Sequence, residues 1–472
     1  MVAGARPQVY ERAFIKRPGQ VERMVATFAL FILAYAVPTT WFRSYGGSFV
    51  AVQPSDPITQ LSFLGCYGFL LSRLHGNEKQ FVKAIRVEPL LFSWVFFCLL
   101  SAVWSEDPAR TLDFSIIFLL TTLVGYYLFI RFELEEVLWM IMWVSLLGVV
   151  SNIVFSLALP VYADTPLGWS GVQTDKNSLG RASVFELINL LMAARLFRRF
   201  RVVCYLGAAG SLFLMFGSTS GTSLGGGIAL IGFMVMFQAF RGRKTLYGAV
   251  ATGYFTAVVV GIYVGLTQLE VIAGIVGKDV TLTGRTDLWI LVINEIPKRF
   301  WLGSGAGAFW TDWFGPAHEV WIDFGGRLPH AHNALLEYML ELGIVGTSMF
   351  MIMYVRAVVR ATRFVRAVPG VLGLWPLTIL TYTLLYSITE VGVQGRTIYW
   401  VAFILAVLTV ARQGKVPLEM GYKQRQARMA TLASLGIDER YLDDDPPMPV
   451  AAGHQPPTGE VLDVDDDDPW RN

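Results

Sequence analysis

Cysteine is nearly absent from this chain: Cys66, Cys98 and Cys204 are the only three in 472 residues. Each lies in an apolar segment, so neither a disulfide framework nor a cysteine-based zinc site is expected. Charge is scarce too. Asp, Glu, Lys and Arg make up 16% of the residues, against about 25% in ordinary soluble domains. The net charge of +2 gives no electrostatic footprint for nucleic acid. Histidine occurs five times, which confines imidazole chemistry to a few places. No small-residue cleavage site follows the first apolar run, so no cleavable signal is expected.

Apolar sequence is what the chain has in abundance. Hydrophobic residues reach 54% and the mean hydropathy is +0.50. Runs of about 20 apolar residues recur, the length that crosses a bilayer as a helix. The pattern predicts an all-α polytopic membrane protein with about 12 transmembrane helices. The first six spans are expected near 23–42, 57–74, 88–105, 112–130, 135–157 and 178–197. The second six are expected near 203–218, 220–239, 246–265, 334–358, 371–389 and 397–412.

Orientation follows from the basic clusters. Arg12/Lys16/Arg17/Arg23, Lys79/Lys83/Arg86, Arg195/Arg198/Arg199/Arg201, Arg241/Arg243/Lys244 and Arg356/Arg360/Arg363/Arg366 all fall on one side of a twelve-span chain. That side is expected to be cytoplasmic, with both termini inside, in a bacterial inner membrane. A basic N-terminus (1–22) then leads into a transmembrane domain (23–412). Its large loop, 266–333, between the ninth and tenth spans, is periplasmic. Residues 413–472 run from Lys423, Arg425 and Arg428 through prolines to four aspartates at 465–468. This composition predicts a disordered acidic cytoplasmic tail. It reads as a solvated tail, or as a docking segment for a chain-length regulator or export complex.

The 266–333 loop gathers the chemistry-bearing residues, His318, His330 and His332 among them. Asn333 is expected to cap the helix that follows, which puts His332 at the outer membrane boundary. A neutral imidazole there can take a proton from a hydroxyl, or it can simply hydrogen-bond the helix end. Lys176, Arg181, Arg285 and Arg396 place four cations near the same surface, a pattern that predicts an anionic ligand. Any one of them alone suits a lipid headgroup equally well. Arg181, inside a span, fits that explanation least.

The glycine run GSGAG at 303–307 lacks the strand–turn–helix setting of a nucleotide loop and reads instead as a tight turn or a place of close substrate approach. The acids Asp287, Asp312, Glu319 and Asp323 show no metal-ligand spacing, so no metal and no cofactor are expected. Trp289, Trp301, Trp310, Trp313 and Trp321 suit sugar stacking or interfacial anchoring.

Several short motifs follow one another in order. WSEDPARTLDFS spans 104–115, TDKNSLGR 174–181 and STSGTS 218–223. GRTDLW follows at 284–289, WLGSGAG at 301–307, and HAHN at 330–333 before LLEYMLELGIVG at 335–346. The ordered set resembles the O-antigen ligase / Wzy-type polymerase superfamily, in particular its ExoQ-like exopolysaccharide polymerase branch. The likeness covers roughly residues 100 to 350, and the acidic tail departs from it.

The resemblance implies a GT-C-like helical glycosyltransferase that works at the periplasmic face without metal or nucleotide sugar. Its donor would be a glycan on undecaprenyl pyrophosphate, its acceptor a second glycan, with membrane lipid around both. It implies that Arg181 and Arg285 bind the pyrophosphate, with Lys176 and Arg396 as further cations. His332 would activate the acceptor hydroxyl, although His330 is a second histidine for that place. Polymerisation of repeat units into exopolysaccharide is the leading expectation, and ligation of a glycan to lipid A-core is the alternative. A transporter or flippase is the non-enzymatic rival, disfavoured because carriers place polar sites near the membrane midplane.

Overall fold

The computed structural model describes residues 18–36, 57–165, 168–240, 284–368, 370–391 and 395–413, with a few isolated positions between 248 and 256. The expected ninth span, the first part of the loop (266–283), the N-terminal segment before 18 and the acidic tail beyond 413 lie largely outside them. Within them the chain is almost entirely helical.

The first half contributes α1 (Gln20–Tyr35), α2 (Pro57–Ser72), α3 (Glu78–Val87), α4 (Pro89–Leu100), α5 (Pro108–Arg131) and α6 (Leu134–Ala158). The second contributes α7 (Lys176–Leu196), α8 (Arg201–Gly217), α9 (Gly221–Phe240), α10 (Gly284–Glu295), α11 (His318–Phe324), α12 (Ala334–Ala367), α13 (Gly370–Thr389) and α14 (Ile398–Gln413).

Local signals explain the helix starts. Pro108 opens α5 while Asp107 accepts the Arg110 N–H at 3.0 Å. Glu133 and Glu136 form a capping box on α6. Asp175 caps α7 through the N–H groups of Asn177 and Ser178.

Each expected span that falls on described residues coincides with a helix. Among the described residues six helices are long and apolar enough to cross a membrane, or seven if α4 and the bent segment before it count as one span. The others are shorter or more polar. α7 is the instructive case, because Arg181 and Glu186 lower its hydropathy, yet it is buried over most of Leu179–Leu196. The buried Glu186 accepts from Tyr35 at 2.6 Å and from Ser211 at 3.4 Å, tying α7 to α1 and α8.

Two segments differ from the expectation. The stretch carrying Lys79, Lys83 and Arg86 is not a loop but α3, bent by 97° from the helix that follows it. Its lysines hide an apolar side: Phe81 packs edge-on against Phe92 and Tyr126. α12 runs past 358 to Ala367, so Arg356, Arg360, Arg363 and Arg366 ride on its last turns. Arg356 and Arg360 reach the buried Glu88. Two further ion pairs, Arg131–Glu22 at 2.9 Å and Arg23–Glu136 at 2.8 Å, fasten this end of the bundle. Such partly buried pairs add more to register than to net stability.

The opposite end is built around a break in α12. Gly343 leaves helical geometry with φ 61° and ψ −167°. The WLGSGAG segment enters the gap and bonds to the groups this releases. The Ile344 N–H donates to the Phe300 carbonyl at 2.8 Å, and the Ser304 and Gly305 N–H groups donate to Leu340 and Glu341 carbonyls at 2.9 Å. A Cβ at Gly303 would stand 2.3 Å from the Glu341 carbonyl carbon, and one at Gly343 would stand 2.4 Å from that of Trp301. The glycines therefore permit backbone-to-backbone contact within the fold, where the sequence suggested a tight turn or the approach of a substrate.

The WSEDP motif closes over this junction. Trp104 Nε1 donates to the Leu302 carbonyl at 3.0 Å, the Glu106 N–H donates to Ser304 at 3.0 Å, and Arg299 pairs with Glu106.

Gly303→Ala is expected to lower stability by about 2–5 kcal/mol, from left-handed strain plus backbone overlap. Gly325 shares a positive φ of 80° but has nothing within 4 Å of its missing Cβ, so Gly325→Ala should cost only about 1–2 kcal/mol. Thermal unfolding of both purified variants in one detergent checks the contrast.

Candidate active site

The His-Ala-His-Asn turn sits on the N-terminus of α12 and is held from four directions. The Ala331 N–H donates to Glu337 Oε2 at 2.8 Å, and the Ala331 carbonyl accepts from Trp289 Nε1 at 2.9 Å. Glu337 also accepts from Trp310 Nε1 at 3.1 Å. Asn333 is the expected cap: its Oδ1 accepts the N–H groups of Leu335 and Leu336 at 3.0 and 3.1 Å. Its amide donates to the Ile388 carbonyl at 3.3 Å, so the turn also leans on α13.

This clamp holds His332 at φ 51°, a left-handed conformation that few non-glycine residues adopt. Such strain persists only where the surroundings over-determine it, and it concentrates at working sites. His332 Nδ1 faces Glu390 Oε2 at 3.4 Å, near the end of α13. A proton on Nδ1, directed at the carboxylate, leaves Nε2 with a free lone pair. Both side chains stay partly open, at 22% and 13% exposure, so a hydroxyl can reach the imidazole.

His330 is the inner member of the pair. Its ring lies 4.1 Å from that of His332, and its Nδ1 accepts the His332 N–H at 3.3 Å. Burial, then the neighbouring His332, pushes its pKa down from 6.5 to about 4, against the opposing pull of Glu390 and Asp175. His330 is therefore neutral at physiological pH.

Arg181 comes in from the other side. Its guanidinium lies over the Tyr399 ring at 4.9 Å, and Tyr382 donates to its carbonyl at 3.2 Å. Glu390 and Asp175 act on it only through space, and among the described residues it forms no ion pair. Its Nε is buried and has no hydrogen-bond partner among the described residues.

The structure thus brings together Arg181, His330, His332 and Glu390 beside the capped start of α7, where Lys176 is the first helical residue. Arg285 stands at the second position of α10, one turn before Trp289; its side chain lies outside what is described. Arg396 does not join the group through any described contact. It stacks on Phe63 at 4.1 Å, beside Tyr67 and Asp113, toward α2 and α5. The third loop histidine, His318, is turned to the Trp313 carbonyl at 2.7 Å.

The loop tryptophans serve mostly as packing. Trp313 stacks on the buried Trp321 at 5.8 Å, and Trp310 lies beside Trp321 at 6.3 Å. Trp301 is open to solvent. A cavity of about 340 Å³, lined by Lys298, Arg299, Ser304 and His318 among others, lies within the same extramembrane layer but includes neither Arg181 nor the histidine pair.

The loop acids assemble no cluster of metal ligands. Among the described residues only His330, His332 and Glu390 bring ligand-type atoms within 4.8 Å of one another. That donor set would suit a zinc-like ion. The same three groups are also complete as a hydrogen-bonded His–Glu pair with a neutral neighbour.

Glu390 is the functional candidate that the sequence reading missed. Its signal was available: a lone carboxylate closing an apolar span.

With this geometry in place, two likenesses to known proteins are informative. The O-antigen ligase family model matches residues 206–351, from α8 through the glycine loop and the histidine turn into α12. The exopolysaccharide production protein ExoQ of Rhizobium meliloti (strain 1021) is 25% identical over 364 residues, covering 73% of this chain and 78% of that protein. Both matches support the ExoQ-like O-antigen ligase and Wzy superfamily. Arg181 and Glu390 both lie outside the stretch that the family model matches.

The depressed His330 pKa has a consequence for stability. A histidine held neutral contributes stability that is fully present above about pH 6.5 and is lost as pH falls toward about 4. Melting curves between pH 7 and 4 should show this loss, and His330→Gln should flatten the profile. An unchanged slope would contradict the buried neutral assignment.

Proposed function

We propose that this protein polymerises glycan repeat units carried on undecaprenyl pyrophosphate into exopolysaccharide, at the periplasmic face of the bacterial inner membrane. It acts as a twelve-span glycosyltransferase without a metal. The observation that carries this reading is the convergence of a buried arginine, without an ion pair among the described residues, with a strained, carboxylate-backed histidine at one end of a helical bundle. The likeness to an exopolysaccharide production protein favours this product.

The chemistry follows from charge. The donor's anomeric C–O bond breaks, and its oxygen leaves with the pyrophosphate, which gains negative charge. Arg181 stabilises that charge in a site shielded from water, where a fixed cation is worth most. Arg285 and Lys176 add cations from the loop and the start of α7. Arg396, stacked on Phe63, contributes more remotely. The acceptor hydroxyl attacks the anomeric carbon as His332 Nε2 takes its proton, with Glu390 orienting the ring and supporting the imidazolium. Such base catalysis is worth about 10²–10⁴-fold.

A second reading rests on the family model, which describes an O-antigen ligase. The same residues would then transfer the finished glycan to lipid A-core. Offering purified protein both acceptors separates the two.

In a transfer assay from lipid-linked donor, His332→Ala is expected to lose about 10²–10⁴-fold in rate, and His330→Ala less. Arg181→Lys should fail nearly as badly as Arg181→Ala, because an ammonium cannot reproduce the guanidinium fork. EDTA should leave the rate unchanged; inhibition restored by zinc would instead assign His330, His332 and Glu390 to a metal. Full activity of folded His332→Ala protein would remove the base.

Orientation has its own test. A single cysteine at Asp312, with Cys66, Cys98 and Cys204 replaced, should react with a membrane-impermeant thiol reagent in intact spheroplasts. Labelling only after lysis would reverse the topology.

A further inference from the structure

Arg181 Nε is not an isolated orphan. Three hydroxyls of α13, Thr383 Oγ1, Tyr386 OH and Ser387 Oγ, are also buried without a hydrogen-bond partner among the described residues. Positions 383, 386/387 and 390 follow helical spacing, so the hydroxyls form a stripe on one face that ends at Glu390. The stripe covers about 10 Å of helix axis, running inward from the histidine pair.

Its surroundings are shared with Arg181. The Tyr386 ring lies 4.7 Å from that of Tyr382, whose hydroxyl holds the Arg181 carbonyl. Tyr386 feels the charges of both Arg181 and Glu390, and its hydroxyl comes within weak interaction range of the Ser223 hydroxyl at the start of α9 without the geometry of a full hydrogen bond. Thr383 and Tyr386 are only 1% and 3% exposed, so bulk water does not satisfy them.

A buried polar group without a partner is costly, and native proteins rarely keep four together unless something binds there. The orphans can all donate: one guanidinium N–H and three hydroxyls. The group they match is an acceptor rich in oxygen and carrying negative charge. Arg181, with no carboxylate paired to it, supplies the compensating charge.

We infer that Thr383, Tyr386 and Ser387 form, with Arg181, a binding site for the phosphate oxygens of a polyprenyl-pyrophosphate lipid. The inference rests on the donor assigned under the proposed function. It adds to that reading a helix, α13, which meets the ligand along its polar stripe. Entry of the lipid satisfies the four orphans at once. The stripe then links the leaving group at its lower end to Glu390 and His332 at its upper end.

The test uses Tyr386→Phe, Thr383→Val and Ser387→Ala in the purified full-length protein. Melting temperature is followed while undecaprenyl pyrophosphate is added, with undecaprenol as the control that shares the tail and lacks the phosphates. Wild type should be stabilised by the pyrophosphate lipid far more than by the alcohol. Each variant should need about tenfold more pyrophosphate lipid for the same stabilisation, with an unchanged response to undecaprenol. Without lipid, the variants should melt at the wild-type temperature or above it, because each removes an unsatisfied buried group.

Variants that bind the pyrophosphate lipid as wild type does would overturn the inference and leave the proposed function standing. Variants that melt lower without lipid would also overturn it, assigning the hydroxyls to the fold. Equal stabilisation of wild type by both lipids would overturn phosphate recognition itself, and the proposed donor with it.

Discussion

A helix interrupted at one glycine organises everything at the functional end of this molecule. Breaking α12 at Gly343 frees main-chain groups in a setting where water cannot serve them, and each orphan there costs several kcal/mol. The WLGSGAG segment meets the cost with its own backbone, which only residues lacking a side chain can bring close enough. Because the segment is fixed there, it fixes what is attached to it: the WSEDP turn before α5, and the loop layer that supplies Trp310 to Glu337. Glu337 in turn holds Ala331, and Ala331 lies between the two histidines. A chain of main-chain contacts therefore runs from a helix break to the conformation of His332.

The site's electrostatics complement that rigidity. Arg181 sits among tyrosine rings, where stacking replaces an ion pair and its charge remains available. Glu390 is placed against His332 rather than against the arginine. Had the carboxylate paired with Arg181, the cation would be neutralised and the imidazole left without support. The two charges are thereby kept apart, the cation over a tyrosine ring and the carboxylate against an imidazole.

How much of this was legible in the sequence depends on the kind of force involved. The helices were, because lipid leaves a long apolar segment no other structure, and the Asn333 cap was, because capping is local. α3 was hidden, since Lys79, Lys83 and Arg86 outweigh its apolar side in any average over a window. The glycine loop could be read as a tight turn or a substrate approach, but not as a partner of α12, because Gly343 looks like an ordinary small residue inside a span. Arg181 and the histidine turn could be grouped only through family likeness; their meeting is a product of helix packing. Glu390 was overlooked although a carboxylate closing an apolar span is itself a signal, because nothing local ties it to His332, and Arg396 was grouped by depth although packing turned it toward Phe63. The tryptophans misled in the opposite way, since three of them serve the loop's own core.

The bend between α3 and α4 bears on how the protein sits in its bilayer. If α4 stands across the membrane, a helix turned 97° from it lies along the surface, with its lysines toward the headgroups. Each basic residue next to an anionic leaflet is worth about 1 kcal/mol, and the apolar side of α3 already rests on the bundle. In that setting the basic and apolar sides of α3 would both oppose a shift of the bundle along the membrane normal. The histidine turn stands at the far end of α12 from Arg360 and Glu88, so a level set at α3 carries along that helix to His332.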